Sequence, residues 1–404
     1  MAFAALDDAI PLYPVYALLF AAHGLSAGQI SGLFVVWSST AIALEVPSGA
    51  WADRVSRRRL LALGQVVRGL GFGLWTFLPS YPAFAAGFVL WGVGGSLTSG
   101  TEQAVVYDGL AAVGRAADYP RLMGLAGTAR LLGDSAAVVL ATPLLVVGGF
   151  RLAGAVSVAV CLVAAAVALS FPEPARAGRV DGSGGGPGEV VAGDGAAADS
   201  DEGGYLATLR AGLREAAGRR VVRAAVLLAA LLPGLWAADE YLPLLADADG
   251  VPLPSVPLVL LPMVLAQAAA TALAGRCARM RPVGVAALVA AGAACLAAGA
   301  LVRHPAGFVA ITAAMAALSL ASVLVDARLQ DAITGPARAT VTSVAGFGAE
   351  VTSVLLYAAY AAGASAGLDV ATLVAVFAAP IGLVALATPR WLPAPRPPTT
   401  APGP

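Results

Sequence analysis

The run Gly49-Ala50-Trp51-Ala52-Asp53-Arg54-Val55-Ser56-Arg57-Arg58-Arg59-Leu60-Leu61 decides how the chain is read. It is a short, Arg-rich connector between two apolar stretches of membrane length, and such connectors stay on the cytoplasmic side of a bilayer. The composition around it agrees. The 404 residues are 59% hydrophobic and 12% charged, with a mean hydropathy of +0.83. Soluble domains carry about 25% charged residues, so this is the composition of a polytopic membrane protein.

A bilayer core takes about 20 apolar residues of helix. Twelve stretches qualify: 2–22, 28–51, 60–78, 81–109, 119–147, 151–171, 221–245, 255–275, 283–302, 306–331, 337–362 and 368–389. All 24 cationic side chains are Arg. With both termini inside, 20 of these 24 fall at cytoplasmic ends, loops or tails, and that bias fixes the topology by the positive-inside rule. Only Arg151 and Arg303 fall outside, and Arg68 and Arg130 lie within spans. The expectation is an all-α membrane protein of two six-helix bundles, residues 1–172 and 221–391, with cytoplasmic termini and a plasma-membrane location.

The first span lacks a basic start, and Asp7 and Asp8 interrupt its apolar run, so it does not read as a cleaved signal. It has no flanking Arg either, and the natural start is expected to lie further upstream. Residues 173–220 read as a cytoplasmic segment. Gly182-Ser183-Gly184-Gly185-Gly186 through Asp201-Glu202 has the composition of a disordered linker. Leu206, Leu209 and Leu213 then fall at helical spacing opposite Arg210 and Arg214, which suits an amphipathic helix on the inner leaflet. The Pro-rich tail, 392–404, reads as disordered.

The halves echo each other. Val105-Val106-Tyr107-Asp108 ends the fourth span and Val323-Leu324-Val325-Asp326 the tenth. Ala274-Gly275-Arg276-Cys277-Ala278-Arg279-Met280-Arg281 stands where a decayed copy of the opening connector belongs. That connector resembles the loop motif between helices 2 and 3 of the major facilitator superfamily, roughly G-x-L-A-D-R-x-G-R-R-x-x-L. Gly49, Ala52, Asp53, Arg54, Arg57 and Arg58 match, while Trp51 and Ser56 replace the usual Leu and Gly. Pro336-Ala337-Arg338-Ala339-Thr340-Val341 is similar to the start of helix 11 in drug-efflux-type members. The chain departs from those members in having no Arg in Leu90–Ser96 and no Gly-Pro-rich motif in its fifth span.

A charge at bilayer depth costs roughly 2.5–3.5 kcal/mol on insertion scales, so such groups are functional candidates. Glu45, Arg68, Glu102, Arg130 and Asp134 fall at depths that allow one polar cluster in the first bundle, with one acid more than the Arg present. It reads equally as a proton site or as ion pairs that hold helices in register. Asp7 and Asp8 form a second candidate, as a cavity pair or as shallow headgroup-level acids. Glu350 falls in the middle of the eleventh span with no Arg at comparable depth in spans 7 to 12. A carboxylate there is most cheaply held protonated, which makes it a coupling candidate. Asp239 and Glu240, after the helix-weakening Pro233-Gly234, are expected near the outer mouth, as a gate or a solvated rim. Tyr13, Tyr16, Phe20, Phe34, Trp37, Trp75 and Trp91 read as packing or interface belts, or as the lining of a cavity.

The resemblance implies that the loop latches the two halves: Asp53 would cap the N-terminus of the eleventh span, and Arg54, Arg57 or Arg58 would pair with Asp108. Gly49 would allow close helix approach beneath it. It also implies a secondary transporter working by alternating access, most simply a proton-coupled exporter of small organic molecules, with import of a metabolite as the alternative. The expected partners are a small-molecule substrate, protons and the lipid bilayer, and the working unit is expected to be a monomer. No basic field exists for nucleic acid, since 24 cations balance 24 anions. No cofactor or metal is expected: Cys161, Cys277 and Cys295 are isolated, and His23 and His304 lack nucleophile or ligand spacing, which argues against an enzyme.

Overall fold

The structure, a computed structural model, describes residues 1–52, 56–98, 100–171, 218–333 and 338–395, with the side chains of 45–52 and 339 left out. Asp53 and Arg54, most of the linker with the expected amphipathic helix, and most of the tail lie outside the described residues. So do the side chains of Glu45 and of its neighbours through the end of that helix.

Everything regular is helical among the described residues. The helices are α1 (Ala2–Asp8), α2 (Tyr16–Ala22), α3 (Ala27–Ala52), α4 (Arg57–Phe77), α5 (Tyr81–Thr98), α6 (Thr101–Ala112) and α7 (Tyr119–Leu169). The second half holds α8 (Arg220–Trp236), α9 (Leu242–Ala248), α10 (Val256–Cys277), α11 (Pro282–Leu301), α12 (Gly307–Ala332), α13 (Arg338–Ser365), α14 (Val370–Val376) and α15 (Ala378–Trp391). Counting runs that continue through short breaks, 11 among the described residues are long and apolar enough to cross a membrane. Large apolar side chains such as Val147, Leu386 and Leu383 stay exposed on them. That surface suits lipid, because a helix satisfies its own backbone polar groups.

The sequence separates 119–147 from 151–171, whereas the structure runs them into α7. Its continuity is interrupted at Gly149, whose φ of 59° and ψ of −157° are non-helical. Only glycine adopts that conformation readily. The fourth span is likewise divided, into α5 and α6, with Gly100 at φ 73° between them.

Both halves open with a broken helix. A 3₁₀ turn at Tyr13–Val15 separates α1 from α2, and another at Ala237–Tyr241 separates α8 from α9. Pro11 and Pro14 in the first case, and Pro233 and Pro243 in the second, remove backbone donors around the breaks. Each break frees backbone and side chains at depth for other partners.

α4 packs on α5 and α7, and α1 lies along α7; in the second half α12 packs on α10 and α11, and α8 on α13. Two seams join the halves, α3 along α13 and α7 along α10. The α1–α7 crossing is very close: a Cβ at Gly133 would fall 1.9 Å from the Ala5 carbonyl oxygen. Small residues at such crossings let helix backbones approach where no hydrophobic force drives them together.

Candidate functional site

The break after α1 places Asp7 against α4 and α7. Its carboxylate accepts from Arg68 and Gln65 of α4 and, at 2.6 Å, from Arg130 of α7. Arg68 also donates to the Asp7 carbonyl at 3.0 Å and to the Tyr13 hydroxyl. Arg130 in turn donates to Glu102, in the first turn of α6. The two cations therefore hold a chain of groups, Tyr13–Arg68–Asp7–Arg130–Glu102, and the side chains of Arg68 and Asp7 are only 5% and 11% exposed. Buried charges persist when paired in this way.

Two sequence expectations change here. Asp7 joins the Arg68–Arg130–Glu102 cluster instead of forming a separate candidate, because α1 ends just after it, at Asp8, with the Asp7 side chain buried against α4 and α7. Asp134, one turn beyond Arg130, is not its partner, since Arg130 is spent on Asp7 and Glu102. Asp134 instead lies within electrostatic reach of Asp8. Neither of these two half-buried acids has a side-chain hydrogen bond or ion pair among the described residues.

The second site is a cavity of about 300 Å³ between the halves. α3 contributes Trp37, Ser38 and Ala41; α8 and its 3₁₀ break contribute Pro233, Trp236, Ala237, Asp239 and Glu240; α13 contributes Glu350, Ser353 and Tyr357. Asp239 and Glu240 are thus not a solvated rim. The run continues through α9 to Ala248, which carries its far end well past them and leaves the pair on the cavity wall. Glu350, expected to stand by itself, shares the cavity with both and lies within electrostatic reach of Tyr357.

One side of this cavity is closed by contacts between the halves. The Tyr16 hydroxyl donates to Glu240, and the hydroxyls of Ser31 and Tyr241 lie 2.8 Å apart. Phe34 packs on Tyr241 and Tyr357, with ring centroids 5.5 and 5.3 Å away. The remaining aromatics named from sequence mostly pack on one another within the first half, as in Trp37–Trp91 and Tyr13–Trp91. Trp37 alone of the seven also lines the cavity.

At the Arg-rich face, Arg57 pairs with Asp108, as the loop motif implies. Asp53, Arg54 and the N-terminal approach to α13 lie outside the described residues, and Arg58 has an interaction of its own. Sequence reading misses Gln65, Tyr13 and Tyr16 as polar partners, and it counts Arg328 among loop-end cations. Arg328 is 3% exposed and donates to the carbonyls of Ala278, Met280 and Pro393, tying the α10–α11 connection to the end of α15.

Among the described residues no cluster of His, Cys, Asp and Glu is arranged to hold a metal ion. The family model described as Major Facilitator Superfamily matches residues 1–356. No protein of curated function matches the sequence. Many solved structures are similar in fold, and three of them serve as examples. A D-xylose-proton symporter has a TM-score of 0.72 at 14% identity, covering 98% of this chain and 96% of that one. The nucleoside transporter NupG has a TM-score of 0.70 at 13% identity, covering 96% and 95%. A bacterial homolog of the human lysosomal transporter Spinster, inward-facing and unoccupied, has a TM-score of 0.69 at 14% identity, covering 98% and 97%.

Proposed function

Because this chain belongs to the major facilitator superfamily, we propose that it is a proton-coupled secondary transporter of small organic molecules that works by alternating access. One observation carries the reading. A cavity with three carboxylates lies between the two halves, and the bonds that close one side of it run from one half to the other. Opening that side requires the halves to part, which is how alternating access moves a guest across a bilayer.

In this reading the two arms of α7 on either side of Gly149 are separate crossings, and the chain has twelve. A straight helix of 51 residues would measure about 77 Å, more than twice a hydrocarbon core. The Arg-rich face is cytoplasmic, both termini lie there, and the closed side of the cavity faces outward. Residues 1–172 and 221–391 form the two rocking bundles of a plasma-membrane monomer. Glu350, Asp239 and Glu240 exchange the coupling proton. Arg68, Arg130, Asp7 and Glu102 hold the first bundle in register, with Asp8 and Asp134 as a second proton-accepting pair. Export is the direction favoured by the likeness of Pro336–Val341 to efflux-type helix 11.

Import is the second reading, since similarly folded structures include a D-xylose-proton symporter. The test is flux in oriented proteoliposomes with an imposed pH gradient. Gradient-driven flux that is lost in Glu350→Gln supports coupling. Flux indifferent to the gradient and unchanged by Glu350→Gln removes it, and the sign of the driven flux settles direction.

A further inference from the structure

We propose that the cavity bounded by α3, α8 and α13 takes a small organic cation with an aromatic body and a hydrogen-bond acceptor. The proposal names the substrate class of the transport reading above and rests on it for its biological sense; the binding argument stands on the cavity.

At about 300 Å³ the space is at the small end of ligand pockets. Its lining includes the carboxyl groups of Asp239, Glu240 and Glu350, and no Arg or His. Lys is absent from the whole chain. Whenever these acids have released the protons that the transport reading assigns them, an anionic guest would meet groups of its own sign in a medium where Coulomb interactions are several times stronger than in water. A cation meets complementary charge, and the same wall offers Trp37 and Trp236, whose ring faces attract cations within about 6 Å.

A second observation is independent of the acids. Tyr357 is 2% exposed, lines the cavity, and its hydroxyl makes no hydrogen bond among the described residues. The indole Nε1 of Trp236, another lining residue, is buried and likewise without an acceptor. A buried donor left unsatisfied costs about 1–3 kcal/mol. That cost falls on the Trp236 indole, and it and the unpartnered Tyr357 hydroxyl, both on residues lining one cavity, suit a guest that brings an oxygen or nitrogen acceptor. Positive charge, flat apolar body and acceptor together describe an aryl ether or aryl carbonyl amine better than a sugar or a carboxylic acid.

The full chain purified in detergent is titrated with three matched probes, with quenching of tryptophan fluorescence as the readout. They are (2-phenoxyethyl)trimethylammonium, neutral 2-phenoxyethanol and anionic phenoxyacetate. Saturable quenching is expected for the ammonium probe, with affinity at least about tenfold above either of the others. Glu350→Gln and Asp239→Asn should each weaken it by about tenfold. Equal or tighter binding of phenoxyethanol or phenoxyacetate overturns the proposal, and so does the absence of saturable binding by the ammonium. If a variant loses its helical circular dichroism, the probe series on the unaltered chain decides. Binding is read without any gradient. Cation binding without driven flux therefore removes only the transport reading, and driven flux of a neutral or anionic solute without cation binding removes only this one.

Discussion

The hydroxyl of Tyr16 donates to the carboxylate of Glu240, tying the 3₁₀ break that opens the first half to the one that opens the second. Tyr16 is the first residue of α2, and Glu240 sits inside the later break. The same carboxylate lines the cavity. Whatever a guest or a proton does to Glu240 is therefore felt directly at the seam between the halves.

Tyr16→Phe keeps the ring and deletes the donor. A hydrogen bond to a charged group contributes about 1.5–3 kcal/mol, which corresponds to roughly ten- to hundredfold in the population of the opened seam. The check is labelling of Ser31→Cys by an impermeant maleimide, with Cys161, Cys277 and Cys295 replaced. Labelling should run about tenfold faster or more with Phe at position 16. An unchanged rate would mean that the seam is held elsewhere.

Arg68→Met should lower the thermal stability of the detergent-solubilised protein strongly. Removing one partner of a buried pair costs about 3–5 kcal/mol, and Asp7 would keep only Arg130 and Gln65. Adding Asp7→Asn should recover part of the loss, giving a non-additive cycle. Strict additivity of the two melting shifts would deny the pairing.

Gly149→Ala isolates backbone strain. No atom lies within 4 Å of the position that a Cβ would take there, so no clash arises. The glycine-only dihedrals alone should cost about 1–3 kcal/mol. The comparison is Gly127→Ala, also open in space but without a left-handed φ. Equal melting temperatures for the two variants would show that the break relaxes freely.

Asp369 should give the opposite face a pH response. It caps α14 by accepting from the Thr372 backbone N–H at 2.9 Å and pairs with Arg303 at 2.7 Å. Chiefly the Thr372 N–H, and then Arg303, hold its carboxyl below the usual carboxylate range. A lowered value means that its contribution is complete above that range and is lost as pH falls through the lowered value. The protection factor of the Thr372 amide, its exchange rate corrected for the intrinsic pH dependence, should fall on such acidification and less so in high salt, because the pair is exposed. Asp369→Asn should abolish the pH step; its persistence would point to another group.

Helix placement was largely legible in the sequence, because lipid demands apolar runs of fixed length: α3, α10, α12 and α13 begin and end within a few residues of the expected spans. Arg68, Glu102 and Arg130 were also legible as one cluster, since depth along antiparallel helices can be counted from a shared loop. Depth counting fails where a helix breaks. The turn at Tyr13–Val15 releases Asp7 towards α4, and the turn at Ala237–Tyr241 sets Asp239 and Glu240 beside Glu350, more than a hundred residues away in sequence. Partners such as Tyr16 and Tyr357 are chosen by the packing of the two halves, which no local pattern records.

In the twelve-crossing reading proposed above, the break at Gly149 has a consequence for biosynthesis. With one residue serving as the bend between the arms of α7, almost no hydrophilic chain has to be translocated there, and Arg151 is the sole charge at the tip. The pair can enter the bilayer as a single hairpin, so ribosome stalling just after the first arm should leave that arm unanchored until the second emerges.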